Sequence, residues 1–303
     1  MLMDGLHPFA ALSEPYLQEL SGRCQGIIYR AHNFETTFWE QCAERARTPW
    51  FKYFFRTQAA LVRAMELRIT RGATLTAPVS EEDARRFERL APGADITVIP
   101  IGMDIPDEKT SQPIFDSATF ELLFIGRLDW LPNRDGLTWF LENIWPRLIL
   151  KRRNVSLKIA GVGDGRWLRR FRNLTGIAWL GKVDDIGPLY GSCAAAIAPL
   201  FQGSGTRVKV LEAARYARAV VTTALGAEGT GLVPNSSYFR AENQEEWLTL
   251  LETMTLDDCR KTGLMALQSI RRRFDAKTVA EQFVRVLSPV SEGLQRTGEL
   301  CAP

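Results

Sequence analysis

Short apolar runs alternate with longer amphipathic stretches along the chain, the pattern of strands and helices in a parallel α/β protein. In the first third, residues 26–29, 74–79 and 96–99 read as strands. Between the first two, 35–71 carries helical periodicity, interrupted or bent at Pro49, which has no N–H to continue a helical ladder. Ser80 reads as the N-cap of a further helix, with Asp83 in the capping-box position. About three strands fall short of the five or six in a complete doubly wound domain, so the unit spanning 1–105 reads as incomplete. Periodicity then stops, and Pro, Gly and polar residues mark 106–119 as a linker.

A second domain, 120–274, begins sharply. Runs at 120–125, 155–160, 177–180 and 194–200 read as strands. Each is followed by a glycine turn: Gly126-Arg127, Gly161-Val-Gly-Asp-Gly165, Gly181-Lys182-Val183-Asp-Asp185, and Gly203-Ser204-Gly205. Helices are expected over 133–150 and 166–173. After the fourth turn Thr206 is expected to open a helix that packs Val208, Leu211 and Ala214 or Arg215 inward, followed by a strand at 219–223. Residues 243–254 and 257–274 read as helical, Asp275 as the cap of a terminal helix reaching about 287–290, and 291–303 as a disordered tail.

Several glycine turns at one edge of a parallel sheet make a nucleotide crevice, because such sheets bind ligands beyond their strand carboxyl ends. The turn at 203–206 adds a helix N-terminus, whose free N–H groups and dipole attract anions. Arg207 and Lys209 place two cations there, and Glu212 adds a carboxylate three residues from Lys209. Cations and amides suit a diphosphate; a carboxylate suits neighbouring hydroxyls. A capped helix with merely solvated charges is the plainer alternative, and the company of the other turns weighs against it. No G-x-x-x-x-G-K-[ST] occurs, and Gly161 to Gly165 lacks the full dinucleotide spacing, so P-loop and hydride-transfer chemistry are disfavoured.

Two features of the first unit carry further candidate chemistry. His32 follows the strand at 26–29, where a ligand would lie, although hydrogen bonding within the loop is the commoner use of such a histidine. Residues 45–71 are basic and aromatic, including Pro49-Trp-Phe-Lys-Tyr-Phe-Phe-Arg56. They suit a membrane surface, but inward packing of the aromatics is the expected outcome.

Composition narrows the classes. A net charge of +3 over 303 residues, with no basic run, argues against nucleic acid as a partner. The five scattered cysteines form no C-x-x-C or zinc spacing, pointing to a reducing compartment without a disulfide framework or metal site. No apolar run is long enough to cross a bilayer and the N-terminus lacks a signal-peptide pattern, so a cytoplasmic location is expected.

The run from Pro199 to Ala214, with Gly126-Arg127, Gly161-Val-Gly-Asp, Gly181-Lys-Val-Asp-Asp185 and Ala224-Leu-Gly-Ala-Glu-Gly229, resembles the C-terminal domain of retaining GT-B glycosyltransferases. The closest likeness is to glycosyltransferase family 4, in its exopolysaccharide-associated branch with a G-x-G-T-R-x-K-x-L-E-A motif. Tyr29-Arg-Ala-His-Asn-Phe-Glu35 and Val79-Ser-Glu-Glu-Asp83 resemble that branch's N-terminal domain. The resemblance spans about residues 1–290. It implies a GT-B fold of two Rossmann-like domains, and transfer of a sugar with retention from a nucleotide-diphosphate sugar, UDP- or GDP-linked, to a lipid-linked or glycan acceptor. No separate cofactor or metal is implied.

Residue by residue, Glu212 matches the second glutamate of E-x7-E, which binds donor ribose. Arg207, Lys209 and Arg127 would lie near the diphosphate, as would the turns at Gly126, Gly161, Gly203, Ser204, Gly205 and Thr206. Lys182 and Val183 match the loop that meets the base, and His32 the histidine facing the transferred sugar. Ser204 stands where the first glutamate of E-x7-E is usual, altering sugar recognition. The first half of the family's N-terminal domain is missing, so the chain reads as N-terminally truncated relative to that family, whether as a fragment, a mis-called start or a truncated paralogue. The alternatives are a nucleotide-sugar-binding remnant without catalysis, and a sugar-nucleotide epimerase, disfavoured because the chain has two histidines in all.

Overall fold

The computed structural model describes residues 1–6, 19, 26–106 and 119–286. These cluster into two compact units: Met1–Asp104 with Gly203–Thr206 and the residues from Arg273, and Ile105–Gln202 with Arg207–Arg272.

In the first unit β1 (Leu2–Asp4), β2 (Ile28–Ala31), α1 (Glu35–Arg45), α2 (Pro49–Gly72), β3 (Leu75–Pro78) and α3 (Glu81–Leu90) build a parallel sheet in the order β1-β2-β3. The strand expected at 26–29 starts two residues later, and β1, only three residues long, leaves no periodicity to read. The strand expected at 96–99 shrinks to a bridge between Ile96 and Thr76. Two further hydrogen bonds, Thr97 N–H to Thr76 O and Ile99 N–H to Pro78 O, continue it along β3 until Pro100, which has no N–H to donate.

The break near Pro49 falls between α1 and α2. Thr48 caps α2 by accepting from the Phe51 N–H, and Pro49 occupies its first turn. Ser80 caps α3 by accepting from the Asp83 N–H at 3.1 Å. The core stacks Tyr29 edge-on to Phe87 and Phe87 edge-on to Phe34, with Ile69 fully buried beside them. The helical residues 276–286 add Val279, Phe283 and Val286 against Ile28, Leu75, Ala77 and Ile99.

One expectation is reversed. Trp50, Phe51, Tyr53 and Phe54 do not pack inward: they are 74, 55, 68 and 45% exposed. Every residue from Thr48 to Phe54 is exposed, so the first turns of α2 have no surface to pack against. Only Phe55 turns in, 6.2 Å from the Trp39 ring.

The second unit contains β4 (Phe120–Ile125), α4 (Leu131–Asn143), α5 (Trp145–Lys151), β5 (Val155–Ala160), β6 (Ile177–Gly181), α6 (Gly187–Ser192), β7 (Ala195–Ala198), α7 (Val208–Arg215), β8 (Ala219–Thr222), β9 (Phe239–Arg240), α8 (Gln244–Thr253) and α9 (Leu256–Phe274). Its six strands are all parallel, in the order β6-β5-β4-β7-β8-β9. Phe120, Leu122, Phe124, Leu157, Ile197 and Val221 form the sheet's part of the core, covered by Leu137, Phe140, Trp145 and Trp247.

Three sequence readings need correction here. The helix expected over 133–150 is two, because Pro146 cannot donate into the preceding ladder and starts α5 instead. Residues 166–173 form a 3-10 turn, Arg166–Phe171, rather than an α-helix. Thr206 does not open α7: Arg207 is the N-cap, in a non-helical conformation, and Val208 begins the helix. The face of α7 that meets β7 and β8 carries Val210, Leu211, Ala213 and Ala214, leaving Val208 exposed. Residues 107–118 of the linker expected at 106–119, the terminal helix beyond 286 and the tail expected at 291–303 lie outside the described residues.

Candidate functional site

The strand order of the second unit sets its chemistry. From β4 the chain steps one way to β5 and β6, and from β7 the other way to β8 and β9, so β4 and β7 lie side by side at the point where the winding reverses. Ligands of open parallel sheets bind beyond the carboxyl ends of such a pair. The residues just past β4 are Gly126 and Arg127, and the helix that follows β7 is α7.

Lys209, in the first turn of α7, reaches this point. Its ammonium donates to the Asn133 side-chain oxygen and lies 4.9 Å from the centre of the Phe124 ring. Burial, then the neighbouring charge of Arg207, pushes its pKa down to about 7, against an opposing pull from Glu212. Asn133 is buried and also donates to the Arg127 carbonyl at 2.8 Å, so one carboxamide ties the β4 turn to the lysine. Gly126 leaves room for both: a Cβ there would meet Asn133 Nδ2 at 2.7 Å and Lys209 Nζ at 3.2 Å. Gly161, at the end of β5, lies so close to the Gly126 carbonyl that no side chain fits between them.

Glu212 lies one turn along α7 and is half-buried. Burial raises its carboxyl pKa, and the charges of Arg215 and Lys209 hold it back. Arg207 is 4% exposed and turns toward the loop after β8, donating to the Leu225 carbonyl at 3.2 Å with Glu228 4.0 Å away. Lys209 and Glu212 therefore share one neighbourhood, while Arg207 acts on it through its charge.

Other expected residues are placed differently. Arg127 is exposed and paired with Asp129 at 2.7 Å, an arrangement that raises the guanidinium pKa through the hydrogen bonds to that carboxylate. Lys182 is exposed, 3.7 Å from Asp184, and Val183 is partly buried beside it in the turn after β6.

In the first unit His32 stands past the end of β2, its Nε2 2.9 Å from Asp4 Oδ1. The segment Gly203–Thr206 belongs to this unit. Gly205 has φ +77° and lies where a Cβ would approach His32 O at 2.8 Å and Asn33 Cβ at 2.9 Å. Asn33 Nδ2 donates to Ser204 Oγ at 3.4 Å, and the Thr206 hydroxyl donates to Val79 O at 3.3 Å. Gln41 holds the Gly203 peptide at both ends, accepting from its N–H at 2.6 Å and donating to its carbonyl at 3.3 Å. His32, Gly203, Ser204, Gly205 and Thr206 are thus brought together.

Sequence reading missed Asn133, Gln41 and Asn33, polar residues inside otherwise ordinary helix and loop stretches. It also missed Gly136, where a Cβ would collide with the Pro199 carbonyl oxygen, so that α4 fits against the β7 loop only because the position is glycine. A glycine inside an amphipathic helix is the one signal that could have exposed that contact. Among the described residues, no group of three His, Cys, Asp or Glu side chains is placed to hold a metal ion. No described helix is long and apolar enough to cross a membrane.

Residues 119–253 match the family model described as Glycosyl transferases group 1. A phosphatidyl-myo-inositol mannosyltransferase of Mycolicibacterium smegmatis is 29% identical over 218 residues, covering 69% of this chain and 55% of that protein. An uncharacterized 44.6 kDa protein in the cps region of Klebsiella pneumoniae is 28% identical over 125 residues, covering 39% of this chain and 32% of that one. The chain thus spans about half the length, or less, of these curated relatives. Among solved structures, sucrose-phosphate synthase from Thermosynechococcus elongatus superposes with a TM-score of 0.74 at 12% identity, covering 96% of this chain and 73% of that one. Anabaena HepE in complex with UDP and glucose superposes at 0.63 and 16% identity, covering 91% and 76%. The fold is of the GT-B glycosyltransferase type.

Proposed function

With a Glycosyl transferases group 1 segment over 119–253 as the premise, we propose that the chain transfers a sugar, with retention, from a nucleotide-diphosphate sugar to a lipid-linked or polysaccharide acceptor. The observation that carries this reading is the Lys209 ammonium at the β4/β7 reversal, beside the half-buried Glu212 carboxylate. Negative charge grows on the departing diphosphate during transfer. Lys209, the α7 N-terminus and the charge of Arg207 are already oriented to stabilise it, without the reorganisation that water would need. Glu212 accepts from ribose hydroxyls in this scheme, and the turn at Lys182 and Val183 receives the base.

UDP or GDP is the donor's nucleotide. The relatives support the two acceptor classes: one is named for transfer to a phosphatidylinositol, the other lies in a cps region, in keeping with an exopolysaccharide-associated role. HepE, solved with UDP and glucose, supports the donor class. A lipid-linked acceptor brings the chain to the cytoplasmic face of a membrane, with 45–71 as the contact. The test is release of UDP or GDP from a panel of nucleotide sugars with and without lipid-linked acceptor, and the anomeric configuration of any product read by NMR. Acceptor-dependent release with the donor's configuration kept is expected; inversion would overturn retention. Nucleotide binding without turnover on any acceptor would replace transfer by a holding role.

A further inference from the structure

The α1–α2 hairpin ends in an apolar, cationic tip. Trp50, Phe51, Tyr53 and Phe54 are exposed on the first turns of α2, where about 100° per residue gathers them on one side of the helix. The same stretch of chain carries Arg45, Arg47, Lys52 and Arg56, all exposed, and Glu44 is the sole acid between residues 44 and 56. The first turn of α2 carries no acidic residue. We propose that this tip is a wedge that inserts into the headgroup region of a bilayer bearing anionic phospholipids.

Three features favour a bilayer over a protein surface. First, a groove on a partner covers one stripe of a helix. Here every residue from Thr48 to Phe54 is exposed, so the tip fits a medium that surrounds it. Second, Trp and Tyr carry an apolar body with a polar edge and favour the boundary between acyl chains and headgroups. Third, four exposed cations, Arg45, Arg47, Lys52 and Arg56, lie in the same stretch of chain as the aromatics and can meet lipid phosphates. Attraction to an anionic leaflet grows with each such cation near its surface. Phe55, stacked between Phe51 and Trp39, anchors the tip to the hairpin and keeps the exposed rings together.

The inference deepens the membrane-facing part of the proposed function and rests on it only for the identity of the acceptor. Vesicle binding needs no nucleotide sugar, so the two can fail separately. The experiment is co-sedimentation of the full chain with vesicles of phosphatidylcholine alone and of an equal mixture with phosphatidylglycerol. It uses wild type, a Trp50→Ser/Phe51→Ser/Tyr53→Ser/Phe54→Ser variant, and an Arg45→Gln/Arg47→Gln/Lys52→Gln/Arg56→Gln variant.

Wild type is expected to sediment with the anionic vesicles, less so as salt rises. The serine variant should lose that affinity by more than about tenfold. The glutamine variant should lose the preference for anionic lipid. Both variants should keep the wild-type thermal midpoint, since the changed side chains are exposed. Wild type that stays in the supernatant with both vesicles, or a serine variant that binds like wild type, would overturn the proposal. A wild-type dimer that the serine substitutions dissociate, without vesicle binding, would assign the tip to a second copy of the chain instead.

Discussion

The side chain of Asn133 joins two parts of the candidate site: its oxygen accepts from the Lys209 ammonium, and its nitrogen donates to the Arg127 carbonyl. A lysine has four rotatable stem bonds, and only a fixed acceptor keeps its charge aimed beyond β4 and β7. Asn133→Ala should therefore weaken binding of a nucleoside diphosphate by about 1–2 kcal/mol. Asn133→Asp, which keeps an acceptor for Lys209, should recover part of the loss. Titration calorimetry with UDP and GDP measures both.

The depressed pKa of Lys209 makes binding take up a proton. Between about pH 7 and its ordinary value near 10.5 the free protein holds this amine neutral, whereas a bound diphosphate favours the charged form. Affinity should fall as pH rises above 7, and the calorimetric enthalpy at pH 8 should change with the ionisation enthalpy of the buffer. In the same window the unfolded chain binds more protons than the folded one, so the unliganded protein's stability should rise with pH through this residue. Lys209→Met should abolish both dependences.

Glu66 behaves in the opposite way. It is buried in α2, accepts from the Glu35 N–H at 2.6 Å and from the Thr36 N–H and hydroxyl at 3.3 and 2.5 Å, and so caps the start of α1. Burial outweighs these hydrogen bonds and pushes its carboxyl up to about 7, above the ordinary value of 4.5. A raised acid pKa contributes stability that is complete below 4.5 and lost as pH rises through 7, on the order of 1–3 kcal/mol. Denaturant unfolding of wild type should show that decline between pH 4.5 and 7.5, and Glu66→Gln should flatten it.

Gly205 tests the segment shared with His32. An alanine there would need a positive φ and would press on His32 O and Asn33 Cβ. Gly205→Ala should destabilise by about 1–3 kcal/mol, read from its urea midpoint against that of wild type.

The fold was legible where the signal was local and repeated. The apolar runs at 120–125, 155–160 and 219–223 became β4, β5 and β8 almost to the residue, because each is short, largely apolar and bounded by turn or loop residues, with Glu121, Ser156 and Lys158 the charged or polar positions in β4 and β5. The break at Pro49 and the cap at Ser80 followed from backbone chemistry alone. What failed depended on distant contacts. Whether Trp50 and Tyr53 pack inward is decided by which elements lie beside them, and nothing in their own spacing states that. Arg207 and Lys209 differ by two residues, yet one turns toward Leu225 and Glu228 and the other toward Asn133. Asn133 itself was invisible: its partners are Arg127 and, seventy-odd positions along the chain, Lys209.

The most direct measurement is nucleoside diphosphate release from a nucleotide sugar in the presence of acceptor, by wild type, Lys209→Ala and Glu212→Ala matched for thermal stability. The account predicts that Lys209→Ala loses release by about a hundredfold or more, as removal of a preorganised charge from a transition state does. It predicts that Glu212→Ala chiefly raises the KM for the donor. Wild-type release by both variants would contradict the assignment of this edge of the sheet as the donor site.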